Sequence, residues 1–167
     1  MPLQRAAKNK RGRKVISIQG SGTRFLCELL KCDHVHIGHG HKKEAFEGVY
    51  ACPLRDPKAV WLTWQKRWNM KGPYGGFGFT FQDAWETLNA IDYPIWHIPL
   101  DRPEREQQII GLSEVLQEDL NPDWNELVGH ANQSKKNKEW WADNPVSVDW
   151  DYIYSIPLVA KFYAVGA

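Results

Sequence analysis

Three groups of residues in this sequence have the types and spacing that chemistry requires. The first is Gln19-Gly20-Ser21-Gly22-Thr23, which follows the β-branched run "KVISI" and opens an apolar, helix-compatible stretch. A strand, a glycine turn and a helix in that order aim backbone N–H groups and a helix N-terminus at one point. The partial positive charge there suits a phosphate or sulfate. Gly20 and Gly22 allow close backbone approach, and Ser21 and Thr23 add hydroxyl donors. The second group is Arg55, at the end of the apolar run "GVYACPL", with Thr63 eight residues further on. An arginine at a strand's C-terminal end is a fixed, bidentate anion donor. Thr63, about two helical turns into the next element, lies on a face able to reach the same anion. The third group is "DHVHIGHGHKK", which places His34, His36, His39 and His41 within eight residues. Imidazole is the side chain suited to taking a proton near neutral pH.

The elements that must position these residues follow from periodicity. Lys14–Ile18 reads as a short buried strand ended by the glycine turn. Thr23–Lys31 reads as a helix, with Leu26, Leu29 and Leu30 on one face. His34–His39 and Gly48–Leu54 are the second and third strands. Pro57 suits the first turn of a helix reaching residue 69, with Asp56 as its cap or first-turn acid. Trp61, Trp64 and Trp68 form a stripe on that helix, which is read as core packing. Lys71–Thr80 is a glycine-rich, aromatic loop over a site. A helix over Phe81–Ile91, a strand over Pro94–Asp101 and an amphipathic helix over Arg102–Leu120 follow, with Asp101 as the cap of the last. The remainder is polar, Trp-rich and irregular before a final apolar run. Strands alternating with helices imply an α/β fold with a mostly parallel sheet flanked by helices. Residues 1–13 form a basic tail, and 14–167 a single compact domain.

The loop and the arginine segment together resemble the sulfotransferases that use 3′-phosphoadenosine 5′-phosphosulfate (PAPS). In that family a Pro-Lys-Ser-Gly-Thr-Thr-type loop after the first strand holds the phosphosulfate. An Arg-(Asn/Asp)-Pro segment with a Ser about eight residues after the Arg holds the 3′-phosphate. "QGSGTRFL" (Gln19–Leu26) looks like the first and "LRDPKAVWLTW" (Leu54–Trp64) like the second. The resemblance implies a P-loop-type fold. Gly20, Ser21, Gly22, Thr23 and Arg24 would surround the phosphosulfate, and Arg55 and Thr63 would bind the 3′-phosphate. It also implies adenosine 3′,5′-bisphosphate as product, no required metal, and a His at the end of the second strand as base: His39 first, with His41 and His36 behind it. No Gly-Lys-(Ser/Thr) is needed, because no β/γ-phosphate pair has to be gripped. The chain departs from the family in three places. Gly20 stands where the loop Lys is expected, so that Arg24 either takes over its charge-balancing role or faces solvent. Thr63 replaces Ser. "GHANQSKK" (Gly129–Lys136), with Asn132, Ser134 and Lys135, stands in for the Gly-rich C-terminal donor loop.

Composition narrows the classes. The chain has 167 residues, 43% of them hydrophobic, with nine Trp, as a globular protein requires. Six cations and no acid fall in residues 1–14; taking these from the 21 cations leaves 15 against 20 acids, an acidic body. A dedicated nucleic-acid binder is therefore not the first expectation, although the tail could touch nucleic acid. Three cysteines, an odd number, suggest reduced thiols in a cytoplasm. No run approaches the roughly 20 apolar residues of a membrane span. The expected partner is a small-molecule or glycan acceptor, and the short chain leaves room for a homo-oligomer that completes the acceptor site. Three other readings stand beside transfer of a sulfuryl group. They are nucleotide or anion binding without catalysis, a P-loop phosphotransferase, and a metal site built on His34 and His36 and completed by His39, His41 or Cys32.

Overall fold

The computed structural model describes residues 12–37, 48–68, 81–127 and 148–164. Within them the chain runs β1 (Arg13–Ser17), α1 (Thr23–Leu30), β2 (His34–His36), β3 (Val49–Leu54), α2 (Pro57–Trp68), α3 (Phe81–Asn89), β4 (Ile95–Pro99), α4 (Arg105–Leu116), a 3₁₀ turn (Trp124–Leu127), α5 (Trp150–Ser155) and α6 (Pro157–Tyr163). The strands make a four-stranded sheet in the order β2-β1-β3-β4, and every pairing is parallel. This is the mixed α/β architecture that the alternation of strands and helices implies.

Strand alternation divides the core into two layers. Val15, Ala51 and Ile98 point to one face, where Phe25, Leu26 and Leu30 of α1 and Ile109 and Leu112 of α4 cover them. Ile16, Tyr50, Cys52 and Leu54 point to the other, under α2, α3, α5 and α6. Strands covered on both faces are apolar along their whole length, which is why "KVISI" and "VYACPL" show no polar alternation. Two tryptophans of the stripe are core: Trp61 and Trp64 are fully buried. Phe81 lies edge-on to both, with ring centroids at 5.0 and 5.2 Å. Edge-to-face pairs of this kind add about 0.5–1.5 kcal/mol each beyond the area they bury.

Several boundaries differ from the sequence expectation, each for a local reason. Strand β2 ends at His36, and residues 38–47, including His39 and His41, lie outside the described residues. Arg13, counted with the basic tail, is instead the first residue of β1, and its guanidinium pairs with Glu118 at 2.6 Å. Helix α4 begins at Arg105 and stops at Gln117, which is left-handed (φ 51°). Asp101 does not cap it, since the N-cap position is Glu104 and no side chain serves there. Asp101 accepts instead from the Asp56 N–H at 2.8 Å and from the Tyr163 hydroxyl at 2.5 Å. Asp56 does fulfil its expected role, accepting from the Lys58 N–H at 3.1 Å. The final apolar run forms two short helices, α5 capped by Asp149 and α6 entered through Pro157. The loops Lys71–Thr80 and Gly129–Lys136 lie outside the described residues. No described helix is long and apolar enough to cross a membrane.

Candidate functional site

The strand order places the site. From β1 the chain moves to β2 on one side; from β3 it moves to β4 on the other. The loops leaving β1 and β3 therefore diverge at their C-terminal ends, and the crevice between them is where open α/β sheets take ligands. The β1–α1 loop meets Arg55 and, from the middle of α2, Thr63 and Trp64.

The loop is built by its neighbours. The Ser21 N–H donates to the Ile18 carbonyl at 3.3 Å, closing a turn. Gly20 (φ 84°) and Gly22 (φ 99°) are both left-handed. A Cβ at Gly20 would lie 3.2 Å from the Thr63 Cγ2, and one at Gly22 would collide with the Leu100 Cδ1. Both glycines are thus required by backbone conformation, and Gly22 by packing as well. From α2, the Trp64 indole donates to the Gln19 carbonyl at 2.6 Å. From the end of β3, Arg55 Nη1 donates to the Gly20 carbonyl at 2.7 Å. Two consecutive loop carbonyls are thereby held.

At that start Gly22 is the N-cap and has no side chain to close the first turn of α1. Ser17 and Thr23 share a 2.7 Å hydroxyl–hydroxyl bond beneath the loop. Ser21 is 1% exposed, and its hydroxyl has no partner among the described residues. A hydroxyl left so costs about 1–3 kcal/mol. Gln19 Nε2 and His36 Nδ1 are 3.2 Å apart, so β2 reaches the loop through an imidazole. Burial, and then the neighbouring His34, hold His36 below its usual pKa. The His34 and His36 rings stand 4.5 Å apart.

The expected site residues are brought together unevenly. Gly20, Ser21, Gly22 and Thr23 form one loop, and Arg55 and Thr63 both abut it at Gly20. Arg55 is 7% exposed, and its guanidinium is lowered from its usual pKa by burial, against the opposing pull of Asp101, Tyr163 and Asp56. The Thr63 hydroxyl donates to the Ala59 carbonyl one turn back, so its methyl is what meets the loop. Arg24 lies on the exposed side of α1. Sequence reasoning missed Trp64 as a loop anchor and the Tyr163–Asp101 bond beside Arg55. Trp64 was visible only as one of a packing stripe, because nothing in its spacing discloses where an indole N–H points. Among the described residues no three His, Cys, Asp or Glu side chains gather as a metal site would need. No family model, curated protein or solved structure matches the chain.

Proposed function

We propose that the β1–α1 loop is a P-loop-type anion site that binds the phosphate end of a nucleotide. On this reading the chain is a short sulfotransferase-like enzyme, moving a sulfuryl group from PAPS to a hydroxyl or amine. The observation that carries the reading is the Ser21 hydroxyl, buried and without a described partner, in a loop between a central strand and an uncapped helix N-terminus. A phosphate oxygen there would satisfy the hydroxyl and the first-turn N–H groups together. During transfer those donors would hold charge developing on the leaving phosphate. Arg24, exposed on the first turn of α1, would act only from the solvent side. A base is needed for the acceptor's proton. His39 and His41 are the bases the family resemblance implies; His36 touches the loop through Gln19, and its lowered pKa keeps it neutral near pH 7.

A second reading, nucleotide binding without transfer, is favoured by Arg55. Its guanidinium is engaged by the Gly20 carbonyl and flanked by carboxylates, and Gly20 itself supplies no cation where the family has Lys. One experiment addresses both readings. Adenosine 3′,5′-bisphosphate, ADP and AMP are titrated calorimetrically into wild type and Ser21→Ala, and acceptors are then screened with PAPS. Binding that requires the 3′-phosphate and weakens about tenfold or more in the variant supports the site, as a hydrogen bond to a charged group of about 1.5–3 kcal/mol would. Equal or absent binding of all three nucleotides removes the donor assignment. Binding without any sulfated product selects the second reading.

A further inference from the structure

Helix α1 ends in a left-handed cap that brings two cysteines together. Lys31 is left-handed (φ 52°), and its N–H bonds the Cys27 carbonyl. The next N–H, that of Cys32, also reaches the Cys27 carbonyl at 3.2 Å. A bond from the second residue past the helix end back to the last turn is the Schellman arrangement. It packs the side chain of that residue against the one whose carbonyl it bonds. Those two positions are usually apolar. Here both are thiols, so the turn sets two cysteine side chains next to each other.

The pair is asymmetric. The Cys27 thiol is half-buried, and the neighbouring Cys32 thiol first, and then burial, raises it. Cys27 in turn lowers Cys32, assisted by the Arg13 guanidinium and the Val15 N–H against the opposing effects of burial and Asp33. Arg13 is fixed in place by Glu118 at 2.6 Å and by the Leu30 carbonyl at 3.3 Å. A sulfur held beside a cation has the surroundings of a reactive cysteine, and the turn places a resolving thiol next to it. The third cysteine has none of this: Cys52 is fully buried on the opposite face of the sheet, and burial raises its thiol.

We propose that Cys27 and Cys32 are a redox couple that closes to an intramolecular disulfide when a small peroxide is the oxidant. The Cys32 sulfur attacks one peroxide oxygen. The S–O bond forms, the O–O bond breaks, and the departing oxygen takes a proton and leaves as water. The Cys27 sulfur then attacks the Cys32 sulfenic sulfur. The S–S bond forms, the S–O bond breaks, and the hydroxyl leaves with the Cys27 proton as a second water. Two thiols are oxidised and one hydrogen peroxide is reduced to two waters. A small oxidant suits Cys32, a residue only 7% exposed. The bond would fasten the end of α1 to the entry of β2, the strand carrying His34 and His36. This inference is independent of the anion site.

The test uses the full chain. Wild type is treated with hydrogen peroxide, remaining thiols are alkylated, and the protein is cut with trypsin without reduction. Trypsin cleaves at Lys31, between the two cysteines, so the expected product is the peptide Phe25–Lys31 joined to Cys32–Lys42, separated by reduction. The Cys52→Ser variant should give the same joined peptide. Cys27→Ser, with its fold checked by near-UV circular dichroism, should stop at a Cys32 sulfenic acid that a dimedone probe captures about tenfold faster than Cys52. Sulfinic acid on Cys27 or Cys32 without the joined peptide would overturn the proposal. So would joined peptides found only between two chains, or dimedone capture at Cys32 no faster than at Cys52.

Discussion

The guanidinium of Arg55 donates a 2.7 Å hydrogen bond to the carbonyl of Gly20, so the end of β3 holds the loop that leaves β1. Arg55 also balances Asp101 and Asp56, which face it at the same sheet edge. Its replacement therefore acts on stability before it acts on any ligand. Arg55→Ala should lower unfolding free energy by about 1.5–3 kcal/mol, the range for a lost hydrogen bond that involves a charged group. Arg55→Lys keeps the charge but not the fork and should lose less. Urea denaturation of the three proteins checks the order. Loss of nucleotide binding in Arg55→Ala alone would then report a loosened loop as readily as a lost ligand contact, which is why Ser21→Ala is the sharper probe of the site.

Gly22 offers a direct measure of how tightly the loop is built. Its left-handed φ excludes an unstrained alanine, and the added methyl would meet Leu100. Gly22→Ala should destabilise by about 1–3 kcal/mol from strain and overpacking together. Leu100 is buried, so Leu100→Ala is itself costly, about 2–5 kcal/mol. The informative quantity is the coupling. In the Leu100→Ala background the collision is gone and Gly22→Ala should cost less, leaving only the backbone strain. Equal cost of Gly22→Ala in both backgrounds, measured by chemical denaturation, would show that packing against Leu100 contributes nothing.

Much of this arrangement was legible in the sequence, and the parts that were not share a cause. β-branched runs, glycine turns and 3.6-residue periodicity identify β1, α1, β3 and α2 because each is a local pattern. The Asp56 cap is legible for the same reason, since its partner is two residues away. Asp101 was misread as a local cap because its partners, Asp56 and Tyr163, come from distant parts of the chain. Likewise the resemblance sets Arg55 and Thr63 beside the glycine loop, and both do abut it. That the Arg55 guanidinium would grip the loop itself, and that Thr63 would turn its hydroxyl to Ala59, depends on where α2 docks. Sheet order, which sets the β1/β3 crevice, is a tertiary result that strand patterns do not encode.

The two C-terminal helices are tied to that edge by phenols. Tyr163 donates to Asp101 at 2.5 Å, and Tyr154 donates to Asp56. Burial, with the adjacent carboxylates, raises both phenols far above their usual pKa, so they remain donors throughout the neutral range. Tyr163→Phe should cost about 1.5–3 kcal/mol, the range for a hydrogen bond to a charged group. Hydrogen exchange should show the loss as faster opening of α6 before it appears in the sheet. Unchanged protection of α6 would mean that the apolar contacts of Val159 and Phe162 hold the helix without the bond.

His97 gives a pH signature from the face of the sheet that α6 covers. It lies on β4 in register with Cys52, its Nε2 is buried without a partner among the described residues, and burial with the nearby Lys161 lowers it to about 4. An unfolded histidine titrates near 6.5. Because the folded value is the lower one, the unfolded chain takes up the proton first on acidification. The contribution of His97 is therefore complete above about pH 6.5, is lost as pH falls toward 4, and changes no further below that. The full loss is about 3 kcal/mol, from roughly 1.4 kcal/mol per pKa unit. His97→Leu, which cannot titrate, should flatten this part of the profile when unfolding free energy is measured by urea from pH 7 to 4. Lys161→Gln should flatten it partially, by removing the charge that opposes protonation. Parallel profiles for wild type and His97→Leu would show that His97 gains its proton in the folded protein as easily as in water, and that β4 opens there to solvent.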